Sequence, residues 1–386
     1  MRCIPMLKTT FHHLACGGGD MRNLLEGLRI GILMGCLTMP LTVAAAEWTA
    51  GDWTLGLGGT LRASYNEEDC DSDCRDIWRS ADPENLGEDL SDDYLTTSIS
   101  QLAVSGSHTL DSGMNAIFKA EWRVDTPDPG NETTFYPYEQ FIGLDAPWGV
   151  VRVGTMETPY MQAGTSLDPF SGDALSTRFF VDIQSALHHN TGKGRGRSTR
   201  TLRYDSPPSR GGISAQIFTG LDDSEDSHDS YGGGITYRSQ KMTAFVQYYD
   251  NGEPGDDEAY KVGGQIGSAA FSLFGQYEWD QGLISLAEDL SPLDAGGEGT
   301  ADGDNLNEDN RTTGADVWFV GASYKTGRVM LLYEYGERKD SEDGRQKEDG
   351  HTGWVAGLRL QLDKTVYLYT GYLEKNYNDD RDTDTR

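Results

Sequence analysis

Trp53-Thr54-Leu55-Gly56-Leu57-Gly58-Gly59-Thr60-Leu61-Arg62-Ala63-Ser64-Tyr65 alternates with period two over thirteen residues. Trp53, Leu55, Leu57, Leu61, Ala63 and Tyr65 fall on one face, and Thr54, Gly56, Gly58, Thr60, Arg62 and Ser64 on the other. An ordinary soluble strand is about half that length, whereas a tilted strand crossing a bilayer takes ~9 to 11 residues. The pattern predicts a strand whose apolar face meets lipid and whose polar face meets water. Gly56-Leu57-Gly58-Gly59 is no dinucleotide loop, because it lies within this strand and opens no helix.

The same alternation recurs along the chain. Met114, Ala116, Phe118, Ala120 and Trp122 oppose Asn115, Lys119, Glu121 and Arg123; Phe271, Leu273, Gly275, Tyr277 and Trp279 oppose Ser272, Gln276 and Glu278. The connections alternate in length. Short turns are expected at 110–113, 145–149, 206–212, 239–241, 267–269, 325–327 and 363–365, and long acidic connections lie between them. Roughly fifteen such segments, with tyrosine and tryptophan near their ends, fit a barrel with aromatic girdles at two interfaces. A large soluble sandwich would leave the long apolar faces in water. No apolar run after position 46 reaches the ~18 residues of a spanning helix.

Composition agrees. The 386 residues are 37% hydrophobic, with 48 glycines, 19 tyrosines and 8 tryptophans, and the mean hydropathy is -0.56. Turn formers and interfacial aromatics dominate, and no linker divides the chain, so one domain is expected over 47–386. Residues 1–46 read as a leader region. Met21-Arg22-Asn23 with Arg29 is a basic start, Ile30 to Val43 an apolar run and Ala44-Ala45-Ala46 a cleavage site, giving a signal peptide at about 21–46 cut before Glu47. Leu33-Met34-Gly35-Cys36 offers a lipoprotein alternative, but the apolar run continues past Cys36. Removing 1–46 takes away four basic and two acidic residues and leaves 28 against 60, a net charge of -32, which does not favour nucleic acid. Cys70 and Cys74 are the remaining cysteines and form a disulfide candidate in an exported chain. No metal site, cofactor or prosthetic group is expected.

One connection stands out. Between Val150-Val151-Arg152-Val153-Gly154 and Arg200-Thr201-Leu202-Arg203-Tyr204 lie about forty residues, far more than an ordinary loop. Its charges are ordered, with Asp168, Asp173 and Asp182 before Lys193, Arg195, Arg197 and Arg200.

Ile99-Ser100-Gln101-Leu102-Ala103-Val104-Ser105-Gly106, Gly113-Met114-Asn115-Ala116-Ile117-Phe118, Gln140-Phe141-Ile142-Gly143-Leu144 and, after the long loop, Arg203-Tyr204-Asp205-Ser206-Pro207 together resemble the general porins of Gram-negative outer membranes. The resemblance implies a sixteen-stranded transmembrane antiparallel β-barrel, all-β, usually a homotrimer, with its third loop folded into the lumen. It also implies export to the outer membrane among lipids and lipopolysaccharide. Two departures stand out. The chain ends in a polar segment after Val366 to Glu374 rather than in a further strand with a terminal aromatic residue, so about fifteen strands are expected, with the last one missing and the edges at Trp53–Tyr65 and 366–374 unpaired. Thr155 stands where the family often has a basic residue, which suggests one wall charge fewer.

Inward residues then include Arg62, Lys119, Glu121, Arg123, Arg152, Arg203, Glu278, Glu334 and Arg359. The loop from about 159 to 197, carrying Asp168, Asp173, Asp182 and Arg178, is expected to face the basic wall of Arg62, Lys119, Arg123, Arg152 and Arg203. Such a transverse field favours small hydrophilic solutes over apolar ones. Passive diffusion is therefore the expected function, with a lean towards cations from the acidic outer loops. A substrate-specific anion or sugar channel, a plugged adhesive barrel and a barrel hydrolase using His188 and His189 are the alternatives. The hydrolase lacks a nucleophile-elbow serine. Asp302-Gly303-Asp304-Asn305 lacks the ligand spacing of a calcium loop.

Overall fold

The computed structural model describes residues 30–32, 41–68, 92–96, 100–124, 135–173, 175–177, 184, 197–221, 230–250, 258–280, 316–339 and 350–377. In chain order the first elements are β1 (Ile30–Ile32), β2 (Leu41–Ala50), β3 (Trp53–Leu61), β4 (Ser64–Glu68), β5 (Asp92–Thr96) and β6 (Ser100–Thr109). Next come β7 (Asn115–Val124), β8 (Phe135–Ala146), β9 (Gly149–Glu157), helix α1 (Pro159–Thr165), β10 (Arg197–Asp205), β11 (Ile213–Gly220), β12 (Tyr231–Arg238) and β13 (Met242–Asp250). The last are β14 (Glu258–Gly267), β15 (Phe271–Asp280), β16 (Val317–Thr326), β17 (Val329–Arg338), β18 (His351–Gln361) and β19 (Tyr367–Tyr377).

Seventeen strands form one sheet, and β4 pairs only with β5. From β6 to β19 each strand pairs antiparallel with its successor, and β3 pairs with β6. The short turns fall where the sequence places them, for example between Thr109 and Asn115 and between Gln361 and Tyr367. Sequential hairpins, with register shifts at Glu121/Trp122 and Ser198/Thr201, pair the backbone strand to strand, as a membrane barrel requires. Among the described residues no helix is long and apolar enough to cross a membrane.

The seam differs from the expectation of bare edges. β3 pairs along its length with β2, from Leu41↔Leu61 to Ala50↔Trp53. β19 pairs with β1 through Ile30↔Lys375, Gly31↔Glu374 and Ile32↔Leu373. Both flanks of the seam are therefore covered by the segment just before β3, and two strands on the N-terminal side, β1 and β2, join the fifteen from β3 to β19 in the main sheet. Tyr369 Oη donates to Ser64 Oγ at 3.3 Å across this join. The apolar run that reads as an export signal supplies these residues, which is why its strand pairing is not evident from composition.

Alternation sets the two faces. On β15, Phe271, Leu273 and Trp279 are exposed on the outside while Ser272, Phe274, Gln276 and Glu278 are buried on the inside. Val246 and Ile217 point outward at 58% and 60% exposure. Thr155 stands across from Gln140, two positions along from the outward pair Ile142 and Val153. It belongs to the lipid-facing row, so this departure from the family pattern removes no charge from the lumen.

The inner face is not uniformly polar. Phe245, Phe274, Phe319, Leu332, Val355, Tyr369 and Leu373, all on inward positions of β13 to β19, form one buried cluster with Leu167, Phe170 and Leu175 of the long loop. The loop leaves β9 and reaches across to this apolar strip. Burial of a large side chain contributes about 1.5–3 kcal/mol.

Candidate functional site: the lumen and its inward loop

The loop begins with α1. Thr158 caps it by accepting a hydrogen bond from Met161 N at 3.1 Å, and Pro159 opens it with a ring already set for helix. Tyr160 is fully buried with Phe218, Tyr249 and Ala259. Its hydroxyl donates to Glu278 Oε2 at 2.8 Å, and its carbonyl accepts from Lys261 Nζ at 3.1 Å. Lys261 also sits 3.9 Å from the centre of the Tyr160 ring and 3.5 Å from Glu278. Gln276 Nε2 donates to Glu278 Oε1 at 2.6 Å. This buried pair is supported by further hydrogen bonds, the condition under which such a pair is tolerated. Glu278, expected at the open wall, lies beneath the helix.

Arg203 is buried and joins the root of the loop to the wall. It donates to the Glu157 carbonyl at 2.7 Å, to Gln162 Oε1 at 2.7 Å and to Asp205 Oδ1 at 2.8 Å. Arg152 Nη1 donates to the same carboxylate, at Asp205 Oδ2, at 2.7 Å. Two guanidinium groups thus share one aspartate. Lys119 pairs with Glu121 and, at 2.6 Å, with Glu139. Glu139 Oε1 also accepts from Glu157 N at 2.9 Å, at the root of the loop. Arg123 lies half-buried on the inward row of β7.

The two described loop aspartates play different parts. Asp168 is turned into the loop itself, where its carboxylate accepts from Phe170 N at 2.7 Å, Ser176 Oγ at 2.8 Å, Thr177 N at 3.2 Å and Thr177 Oγ1 at 3.3 Å. Burial raises its pKa, and these hydrogen bonds oppose the rise. Asp168 is placed as the knot of the loop, away from the basic wall. Asp173 does meet that wall, 2.9 Å from Arg62 Nε, and accepts from Tyr367 Oη at 2.8 Å. Gly172, at φ +84, lets the loop come close here, since a Cβ on it would lie 3.1 Å from Arg62 Nη1. Burial pushes the Asp173 carboxyl up to about 6, with Arg62, Tyr367 and Arg359 opposing and Asp168 assisting.

Arg359 closes the far side. Its guanidinium donates to the Pro169 carbonyl at 3.1 Å and lies 4.9 Å from the Tyr367 ring and 5.6 Å from Phe170. Glu334, also expected to face water, is fully buried behind the loop, with neither carboxylate oxygen hydrogen-bonded. Asp182, Arg178, Cys70, Cys74, His188 and His189 lie outside the described residues.

Tyr160, Lys261, Phe170 and Leu175 hold the loop without any sequence motif to mark them, and Tyr367, in place for an interfacial aromatic, binds Asp173 instead. One signal was present. Phe245, Phe274, Phe319 and Leu332 are apolar residues in phase with the water-facing positions of their strands, which an open aqueous wall does not need.

A sheet of sequential antiparallel hairpins with an apolar exterior and a loop folded inside defines a transmembrane channel. Residues 38–380 match the Gram-negative porin family, and the chain belongs to that family. The major outer membrane protein P.IB of Neisseria sicca is 24% identical over 312 residues, spanning 74% of this chain and 81% of its own length. The P.IB protein of Neisseria gonorrhoeae is 21% identical over 288 residues, spanning 71% and 78%. Among solved structures, an anion-selective porin from Comamonas acidovorans superposes with a TM-score of 0.62 at 18% identity, over 84% of this chain and 90% of that one. OmpF of Salmonella typhi in complex with daunomycin gives 0.58 at 12% identity, over 86% and 100%. The chain is an outer-membrane porin, a water-filled channel for passive diffusion of small hydrophilic solutes and ions.

The position of Asp173 gives a pH dependence with a definite sign. The carboxyl is raised from 3.8 to about 6, so it is charged above that pH and neutral below it. Because the folded state binds this proton more tightly than the unfolded chain, the docked loop gains stability as pH falls through about 6. Lowering the pH from about 7.5 to about 5 removes one negative charge beside Arg62 and Arg359, so the reversal potential in a KCl gradient moves towards anions. Asp173→Asn is expected to lack this step; an identical pH response in the variant refutes the assignment.

Proposed function

We propose that the loop from about Pro159 to Arg197 is the size filter of this channel. The observation behind it is that Leu167, Phe170 and Leu175 are buried against inward residues of β13 to β19, on the far side of the lumen from the loop's origin at β9. Polypeptide laid across a water-filled barrel reduces its free section, and the bonds of Arg203, Tyr160 and Arg359 fix its position.

A second reading concerns ions. The acidic total charge favours cations, but one part of the described wall carries clustered arginines. Arg152 and Arg203 share Asp205, and Arg359 donates to a carbonyl and lies by two rings, with Asp173 the carboxylate in its field. Clustered guanidinium groups at a narrow section raise the local concentration of anions. The similar porin of Comamonas acidovorans is described as anion-selective. We take this chain to prefer anions.

Export through a leader cut before Glu47 belongs to the same proposal. Such a cut takes β1 and residues 41–46 away from the seam and leaves Glu47–Ala50 paired with Gly56, Leu55, Thr54 and Trp53.

Three outcomes follow. In planar bilayers, a variant lacking much of 159–197 has a larger single-channel conductance; an unchanged conductance removes the loop from the role of constriction. The wild-type reversal potential at neutral pH has the anionic sign, and a cationic sign overturns the second reading. Sequencing the purified outer-membrane protein starts at Glu47; a start upstream of it rules out that cut.

A further inference from the structure

We infer that Gly357, paired with Gly371 across β18 and β19, is the seat that sets how far the constriction loop stands from the wall, and so how wide the channel is. The inference rests on the loop being the constriction. The two glycines are register partners, and both lie on the inward row. Together they make a notch with no side chains in its floor. Above it lie Phe170 and Leu175, both fully buried.

The contacts of a hypothetical side chain distinguish the two positions. A Cβ on Gly357 would lie 2.8 and 3.1 Å from the Phe170 ring and 3.2 Å from Leu175 Cδ1, and these three nearest atoms all belong to the loop. A Cβ on Gly371 would meet Leu175 at 2.6 and 2.9 Å but also the Ala356 carbonyl at 2.6 Å, so its own strand would have to shift. Gly357 is therefore the cleaner lever. A side chain there presses on the loop first.

The loop has little freedom to yield sideways. Phe170 packs against Tyr369 with ring centres 5.7 Å apart and lies beside the Arg359 guanidinium, and Asp168 fixes the backbone at Phe170. The Pro169 carbonyl is held by Arg359 as well. Interiors packed at this density transmit an added volume rather than absorb it. The remaining direction is away from the wall, into the water-filled lumen. Neither glycine is needed for a turn or a left-handed backbone, since neither has a positive φ. Their smallness is used by the loop.

The test is a size series at one position. Gly357→Ala and Gly357→Leu are measured in planar bilayers and by liposome swelling, beside the loop deletion. Conductance falls from wild type to alanine to leucine, and entry of larger sugars falls more than entry of smaller ones. Adding Phe170→Ala to Gly357→Leu returns the lost volume and restores conductance towards wild type. Conductance that is unchanged in Gly357→Ala and Gly357→Leu, or a fall that Phe170→Ala does not reverse, overturns the inference. Gly357→Ala adds a single methyl group and keeps the test open if the leucine variant does not fold. If the loop deletion fails to raise conductance, the constriction reading has failed; if the deletion raises it while the Gly357 variants match wild type, only the seat has failed.

Discussion

Backbone hydrogen bonding in hydrocarbon is the constraint from which the rest of this structure follows. An amide or carbonyl without a partner in lipid costs several kcal/mol, so every strand needs a neighbour on both sides. Sequential hairpins from β3 to β19 meet most of that requirement, and in the uncut chain β1 lies against β19 and β2 against β3. Once the ladder is fixed, alternate side chains have no choice of solvent. Ile217 and Val246 meet lipid, while their neighbours on the same strands meet the interior. The same constraint bears on the long loop. Irregular backbone is tolerated only in water or against protein, and the interior of the barrel supplies both.

The loop is held by two kinds of contact. Near its root the attachment is polar and buried, through Arg203 to Glu157 and Gln162 and through the set formed by Tyr160, Lys261 and Glu278. Farther along it is apolar, where Phe170 and Leu175 meet the strip on β13 to β19. Polar anchors specify direction, because a misplaced guanidinium would leave the Glu157 carbonyl and Asp205 without it. Apolar anchors supply depth of burial without demanding one geometry. Asp168 links the two by fixing the turn that presents Phe170. Asp173 then brings the loop to Arg62, at the opposite side of the seam from β19.

Much of the scaffold was legible in the sequence. The alternation at 53–65 marks β3 but runs past its end at Leu61 into β4, and turns such as that after Thr109 fall where expected, because lipid and water impose opposite demands on neighbouring side chains. The seam was less legible. Val43 to Ala46 is apolar at every position, and an apolar run ending in three alanines reads as a leader whether or not it also pairs as a strand. The site was legible in type but not in detail. Arg62 and Asp173 were placed on opposing surfaces and do meet. Asp168 was assigned to the same field, yet its carboxylate is used by Ser176 and Thr177, two neighbours whose hydroxyls carry no pattern of their own. Glu278 and Glu334 have the alternation of water-facing residues but lie under the loop, because period two distinguishes inside from outside and says nothing about what covers the inside.

The hydrogen bond from Tyr369 to Ser64 joins positions 305 residues apart in the chain. The entropy of closing so long a loop grows only logarithmically with its length, so distance in sequence is a modest thermodynamic obstacle. Its effect lies in the order of events. Hairpins can form as soon as their two strands exist, whereas this contact must wait until β19 has been synthesised and delivered. Until then both flanks of the sheet are open, and open strand edges are templates for pairing with other chains. The barrel therefore passes through an assembly stage in which it is fully patterned but not yet sealed, and it needs protection from its own edges for that interval.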